Sequence, residues 1–301
     1  MATQTVQATN TAPKKKIKIA PIVCFIVTVI LAVLFVYPVY FAVISAFKSN
    51  GEILKAPLAF PTELYLQNFK DLFAKTDFFT AIWHTVFLTV VSEVLIILVV
   101  PLSAYAIERH NSKATKFVYA YFTAGMMIPF HLYMFPLFKE MKVFHIYGTL
   151  WGPIICYIAG SVAFGTLLYT SFLKGVPIDI EEAAKIDGCS YFGIFFRIIL
   201  PLSTASIATL TLFIAVSNWN QYTKPLLYLN DYKMHTLQVY LKSLLVDSDT
   251  MGMNAMESDR VLPSETIRMA TVILAMLPIM CVYPFVQRYF VKGVMVGSVK
   301  G

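Results

Sequence analysis

From Ile19 to Phe47 the chain runs for 29 residues without a formal charge. The hydrocarbon core of a bilayer is about 30 Å thick, and a helix crosses it with roughly 20 mostly apolar residues. Five further runs meet that requirement. Ala81–Ile107 has 27 residues and one carboxylate, Glu93. Phe117–Phe138, Thr149–Phe172 and Ile198–Ser217 are uncharged, and Met269–Gln287 is uncharged between Arg268 and Arg288. The runs are apolar on every face, whereas barrel strands alternate over about 10 residues. Composition supports lipid as the solvent: 58% of residues are hydrophobic and 14% charged, against about 25% charged in soluble domains. The reading is an all-α integral membrane protein with six transmembrane helices, at about 19–47, 81–107, 117–138, 149–172, 198–217 and 268–288.

Lys14, Lys15, Lys16 and Lys18 precede the first run, as in a secretory signal. A signal core is only about 7–15 residues long, so this run reads as an uncleaved anchor behind a polar, disordered tail, residues 1–18. Six crossings put both termini on one side. With both inside, the inner segments hold 13 Lys/Arg in 66 residues and the outer ones 11 in 94, which favours N-in, C-in. The net charge of +7 is then mostly topological. No folded domain gathers the basic surface that nucleic-acid binding requires. Cys24, Cys156 and Cys281 fall in the runs and Cys189 in an inner loop, so no outer disulfide framework exists. No Cys/His motif has metal spacing, and no GxxxxGK[ST] is present to bind ATP.

The inner loop 173–197 is too specific for a connector. Pro177 and Asp179 open a helix whose first turn is acidic, where the helix dipole favours acids. Gly188 stops it. A second short helix, about Ser190–Ile199, leads into the next crossing near Pro201. Ala183 and Ala184 offer a nearly bare surface, and Glu181, Glu182 and Asp187 surround it with charge. A linker lying on the membrane would carry Lys/Arg on its polar face. This face is acidic, so the loop reads as an elbow that docks into a partner.

Glu182-Ala183-Ala184, three residues, Gly188, nine residues, Ile198, one residue, Leu200-Pro201 resembles the EAA loop of permease subunits of ATP-binding-cassette importers. Ile186-Asp187-Gly188 within it resembles the carbohydrate branch, similar to the maltose-type inner permease. Three weaker segments point the same way: Met127-Ile128-Pro129, Trp219-Asn220 followed by Pro225-Leu226, and the tail Gly293 to Gly301 with Gly297 and Lys300. Ser298 and Cys189 depart from the residues usual in that branch by small-for-small changes.

The resemblance implies a type I importer permease fold in a bacterial cytoplasmic membrane. It implies a second homologous permease, two ATPase subunits (identical or different) that hold the ATP and Mg²⁺, and an extracytoplasmic solute-binding protein that delivers a sugar. The chain itself is expected to catalyse nothing and to bind no cofactor or metal. Its acids are expected to meet basic groups on the ATPase, with Ile186, Phe192 and Phe196 as apolar anchors. Gly297, Lys300 and Gly301 are a second expected ATPase contact.

Substrate-path residues are less defined. Glu93 sits mid-helix, where a charge costs roughly 2.5–3.5 kcal/mol and usually faces the protein interior. It reads equally as a gate or as a packing residue. His84 and His131 read as interior or interfacial residues. Asn218, Trp219, Asn220 and Tyr222 combine ring faces with amide and hydroxyl groups, as sugar sites do. Trp219 reads rather as an aromatic-belt residue at the interface or as part of a structural turn. The long outer loops read either as solvated or as docking surface for the binding protein. Three alternatives are a permease for a non-sugar solute, a secondary transporter and a membrane enzyme. The second lacks visible repeats or broken helices, and the third lacks a convergent polar site.

Overall fold

The computed structural model describes residues 19–75, 77–110, 112–250 and 265–298, and every regular element among them is helical. α1 (Ile19–Ala46) precedes two short helices, α2 (Asn50–Lys55) and α3 (Gln67–Lys75). Next come α4 (Phe78–His110), α5 (Lys113–Met126), α6 (Phe130–Val143) and α7 (Trp151–Leu173). The elbow holds α8 (Asp179–Ile186) and α9 (Tyr191–Ile194), then a π turn over Phe195–Ile199 and α10 (Leu200–Leu202). α11 (Thr204–Trp219), α12 (Thr223–Tyr228), α13 (Leu237–Thr250) and α14 (Glu265–Ser298) complete the order.

Among the described residues, four helices are long and apolar enough to cross a membrane: Val23–Ala46, Phe78–His110, Trp151–Leu173 and Glu265–Pro284. The fifth expected stretch is a pair, Tyr191–Leu202 and Thr204–Trp219, bent by 74°. Pro201 has no N–H to give the preceding turn, and the π turn sits directly before it, where a ladder defect bends a helix. Ser203, fully buried at the bend, holds it by donating to the Leu200 carbonyl at 2.9 Å and pairing with the Tyr169 hydroxyl.

The expected helix 117–138 is instead two helices of 14 residues, α5 and α6. At 1.5 Å per residue each is about 21 Å long, short of a bilayer core. The break falls at Pro129, which caps α6 and disfavours helical geometry in the residue before it. At the other end of the chain, α14 runs to Ser298, past the expected stop near 288.

α4 is the hub, packing against α7, α11, α5 and α13. Ile96, Val100 and Ala104 of α4 meet Tyr169 and Leu173 of α7 and Leu210 and Ile214 of α11 in one buried cluster. Gly165 of α7 lets the three helices close. A Cβ there would lie 3.0 Å from Val100 Cγ2 and 3.2 Å from Leu210 Cδ1, the close approach that small residues provide in membrane bundles. Gly165→Val is therefore expected to destabilise the chain by about 1–3 kcal/mol, the usual cost of overpacking. The unfolding midpoint of the protein in detergent measures this; an unchanged midpoint contradicts it. α1 lies outside this core, against α14, with Phe25, Val33, Leu34 and Phe35 exposed. Lipid tails are as apolar as those side chains, so the surface is at home in a bilayer.

On the outer side, α12 folds back into the bundle. Tyr228 is fully buried, its hydroxyl donates to the Met134 carbonyl at 3.1 Å, and its own carbonyl accepts from Gly148 N at 2.9 Å. Gly148 has φ +72°, and a Cβ there would lie 2.7 Å from Asn230 Oδ1. Glycine alone fits this turn comfortably.

Candidate functional sites at the elbow and in the outer cleft

The elbow is built by its caps. α8 has Asp179, Glu181 and Glu182 in its first turn. Gly188, at φ +83°, turns the chain left-handed after the Asp187 cap. Ser190 then caps α9 by accepting from Gly193 N at 3.2 Å. The two faces of α8 have different fates. Glu181 and Ala184, three residues apart, point inward and are buried, while Glu182, Ala183, Ile186 and Asp187 point outward.

The outward face continues onto α9 and the π turn. Ile186 is 87% exposed, Phe192 70% and Phe196 53%. Gly188 is also exposed. An apolar patch of this kind, rimmed by acids at a water-facing end, marks a contact surface.

Two sequence expectations change here. Glu181 does not face outward. Its side chain is 2% exposed, its Oε1 is 2.7 Å from Arg109 Nε, and its Oε2 accepts from the Tyr105 hydroxyl at 2.9 Å. Arg109 also donates to the carbonyls of Leu173 at 3.4 Å and Val176 at 3.3 Å. Ala184 likewise packs inward, in the cluster with Tyr105, Ile194 and Phe195. The physical reason is helical periodicity: positions 181 and 184 share one face, and that face meets the ends of α4 and α7. The result is a clamp tying the elbow to both helices. Arg109 and Tyr105 were not singled out from the sequence; their only signal is a lone cation and a phenol closing an apolar run. Of the C-terminal candidates, Gly297 lies in the last turn of α14, and Lys300 and Gly301 lie outside the described residues.

The substrate-path candidates do not converge. Trp219 is 7% exposed and packs with Leu72, Phe78, Leu237 and Ala275. It is a core residue and not part of an interfacial belt, because α3, α4, α13 and α14 close over it. Asn218 is buried with its Nδ2 unpartnered, and Asn220 is exposed and donates to the Val216 carbonyl at 2.9 Å. Tyr222 is half-buried at the start of α12. Glu93 is 7% exposed in α4, with the Thr211 hydroxyl of α11 as its polar neighbour. His84 is half-buried and His131 exposed.

A cleft of about 800 Å³ opens instead between α5, α6, α7 and α12, and none of those candidates lines it. Lys224 of α12 reaches into it. Its Nζ donates to the Cys156 carbonyl at 3.3 Å and lies 5.7 and 5.5 Å from the ring centres of Phe130 and Tyr157. No carboxylate among the described residues pairs with it, and burial lowers its pKa from the ordinary lysine value. Tyr121 and Tyr133 also line the cleft. The sequence counted Lys224 only as an outer-loop charge, since hydropathy does not show that α12 turns inward.

Residues 98–296 match the family of binding-protein-dependent transport system inner membrane components. The chain is 33% identical to the polygalacturonan/rhamnogalacturonan transport system permease protein YtcP of Bacillus subtilis, over 90% of the chain and 94% of that protein. It is 32% identical to AmyC of Thermoanaerobacterium thermosulfurigenes, a probable permease for starch degradation products, over 90% and 94%. Among solved structures, a bacterial ABC transporter involved in import of the acidic polysaccharide alginate superposes with a TM-score of 0.76 at 24% identity, covering 94% of this chain and 100% of that one. That likeness supports the expected permease fold.

Proposed function

The chain belongs to the family of binding-protein-dependent transport system inner membrane components, and from that premise we propose that it is one permease subunit of an ATP-driven importer of oligosaccharides. Relatives that cover most of its length are named as permeases for polygalacturonan or rhamnogalacturonan, starch degradation products and arabinooligosaccharides, so sugar is the common denominator. A second permease completes the pore. Two ATPase subunits beneath it bind and hydrolyse ATP with Mg²⁺, and an extracytoplasmic binding protein brings the sugar.

The observation that carries the mechanism is the division of the elbow into two faces. Outward, Ile186, Phe192 and Phe196 with Glu182 and Asp187 form the docking surface for an ATPase subunit. Inward, Glu181 is fixed to Arg109 and Tyr105. Closure of the ATPase pair displaces the outer face. The clamp carries that displacement to α4 and α7, and through their shared core to α11. The chain supplies movement and a path; the chemistry lies on the ATPase.

The reading is tested in proteoliposomes holding the permease pair, the ATPase subunits and the binding protein. At least one oligosaccharide from a panel of galacturonan, starch and arabinan fragments is expected to raise ATP hydrolysis above the level seen with empty binding protein, together with uptake. Stimulation by amino acids or peptides and by no sugar would replace this reading with a permease for another solute.

A further inference from the structure

The oligosaccharide reading leaves one group unused: a half-buried cation in an aromatic cleft. We propose that Lys224 recognises a carboxylate in a sugar subsite of this cleft, and that the transported oligosaccharide carries uronate residues. The inference rests on the sugar-import reading and narrows it.

Position comes first. α12 is held against α6 and α7 by the buried Tyr228, which fixes Lys224 beside Cys156 and Gly160 of α7. These lie five and nine residues into a helix that begins at Trp151, so the ammonium stands about 8–14 Å along α7 from its outer end. Gly160 faces the ammonium: a Cβ there would lie 3.4 Å from Lys224 Nζ, in van der Waals contact, and a larger side chain would occupy the space.

Charge comes second. An ammonium has three donors, and among the described residues one carbonyl, that of Cys156, accepts from it. Placing a cation in such surroundings without a counter-charge is costly. A neutral sugar is held as well by amide and hydroxyl groups at less desolvation. A carboxylate answers the cost by restoring a charge-assisted hydrogen bond. The rings of Tyr121, Phe130 and Tyr133 line the cleft and suit the apolar C–H faces of a pyranose, and the volume falls within the roughly 300–1,000 Å³ usual for ligand pockets. The relatives include permeases named for both acidic and neutral sugars, so this side chain and not the family makes the choice. The competing source of a counter-charge is an acid on the second permease.

The test is uptake of trigalacturonate and of maltotriose by the reconstituted complex, each at a concentration that saturates the binding protein. Lys224→Gln removes the charge. Gly160→Val keeps Lys224 but fills the space at its ammonium from the opposite wall. Trigalacturonate uptake is expected to fall about tenfold or more in each, the effect of losing one charge-assisted hydrogen bond, and to survive in Lys224→Arg. If Lys224→Gln fails to assemble, a tenfold loss in Gly160→Val still supports the subsite. Wild-type trigalacturonate uptake by an assembled Lys224→Gln complex overturns it. So does failed assembly of Lys224→Gln beside normal uptake by Gly160→Val, which marks an ion pair with the second permease. Import of maltotriose but not trigalacturonate by the unmodified complex overturns the uronate inference and leaves sugar import standing. Import of no sugar overturns both.

Discussion

Replacing Arg109 with methionine is expected to destabilise the assembled importer by about 3–5 kcal/mol, the cost of breaking a buried ion pair from one side. The carboxylate left behind, on Glu181, has a side chain only 2% exposed and would keep one donor, the Tyr105 hydroxyl. Two backbone carbonyls, that of Leu173 at the end of α7 and that of Val176 just beyond it, would lose their Arg109 donor as well. The loss is large against the roughly 5–15 kcal/mol that separates folded from unfolded states of most domains. The companion variant is the double change Arg109→Met with Glu181→Gln. Removing both charges eliminates the unpaired carboxylate, and the glutamine carbonyl still accepts from Tyr105. Stability is therefore expected to recover most of the loss, the non-additivity typical of residues in contact. Coupling is expected not to recover, because the charge pair joining α8 to α4 remains absent. Unfolding midpoints of the purified complex measure the first effect, and the ratio of sugar imported to ATP hydrolysed measures the second. Full recovery of that ratio in the double variant would show that the pair only stabilises the fold.

The clamp also marks where reading the sequence stopped. The elbow was legible because its signals are local: acids in a first helical turn, Gly188 where φ is positive, and a serine cap at 190. The six apolar stretches were legible for the same reason. What periodicity cannot supply is the partner of a given face. Glu181 and Glu182 are neighbours of identical chemistry, yet one turns toward an arginine 72 positions away in sequence and the other toward water. From local sequence Trp219 fits a sugar site, an interfacial belt or a structural turn, whereas its burial comes from α3, α4, α13 and α14. Lys224 gives no sequence signal of its place, for a topological reason. Charge counting assigns every outer-loop lysine to the surface, and only the ties from Tyr228 to Met134 of α6 and to Gly148 in the turn before α7 show that this one turns inward. Pro129 was visible as a residue, but its effect in dividing one expected helix into α5 and α6 was not drawn from hydropathy, which is blind to backbone hydrogen bonds.

Phe192→Asp and Ile186→Asp test the outer face of the same elbow and are expected to separate folding from assembly. Both side chains are mostly exposed, at 70% and 87%, and neither belongs to the buried cluster beneath. Exposed substitutions away from packed features usually stay within about 0.5 kcal/mol, so the chain should insert and unfold as before. Against an ATPase the same positions act as buried anchors, whose loss typically costs about 2 kcal/mol or more. That corresponds to roughly thirtyfold weaker association per site, and a new carboxylate within an acidic rim adds repulsion. ATPase subunits should co-purify poorly with either variant, and binding-protein-stimulated hydrolysis should be lost. Glu182→Lys probes the rim. Rim charges contribute less to affinity than anchors do, so its complex should hold more of the ATPase than Phe192→Asp while transporting less per ATP than the unmodified complex. Normal recovery of ATPase by both aspartate variants would place the docking surface elsewhere on the cytoplasmic side, and the exposed rings would then need another partner. The predicted ordering, with anchors outweighing rim and both leaving the fold intact, separates a docking elbow from an amphipathic segment resting on lipid. For the latter, Glu182→Lys would strengthen attachment to an anionic membrane and leave ATPase recovery untouched.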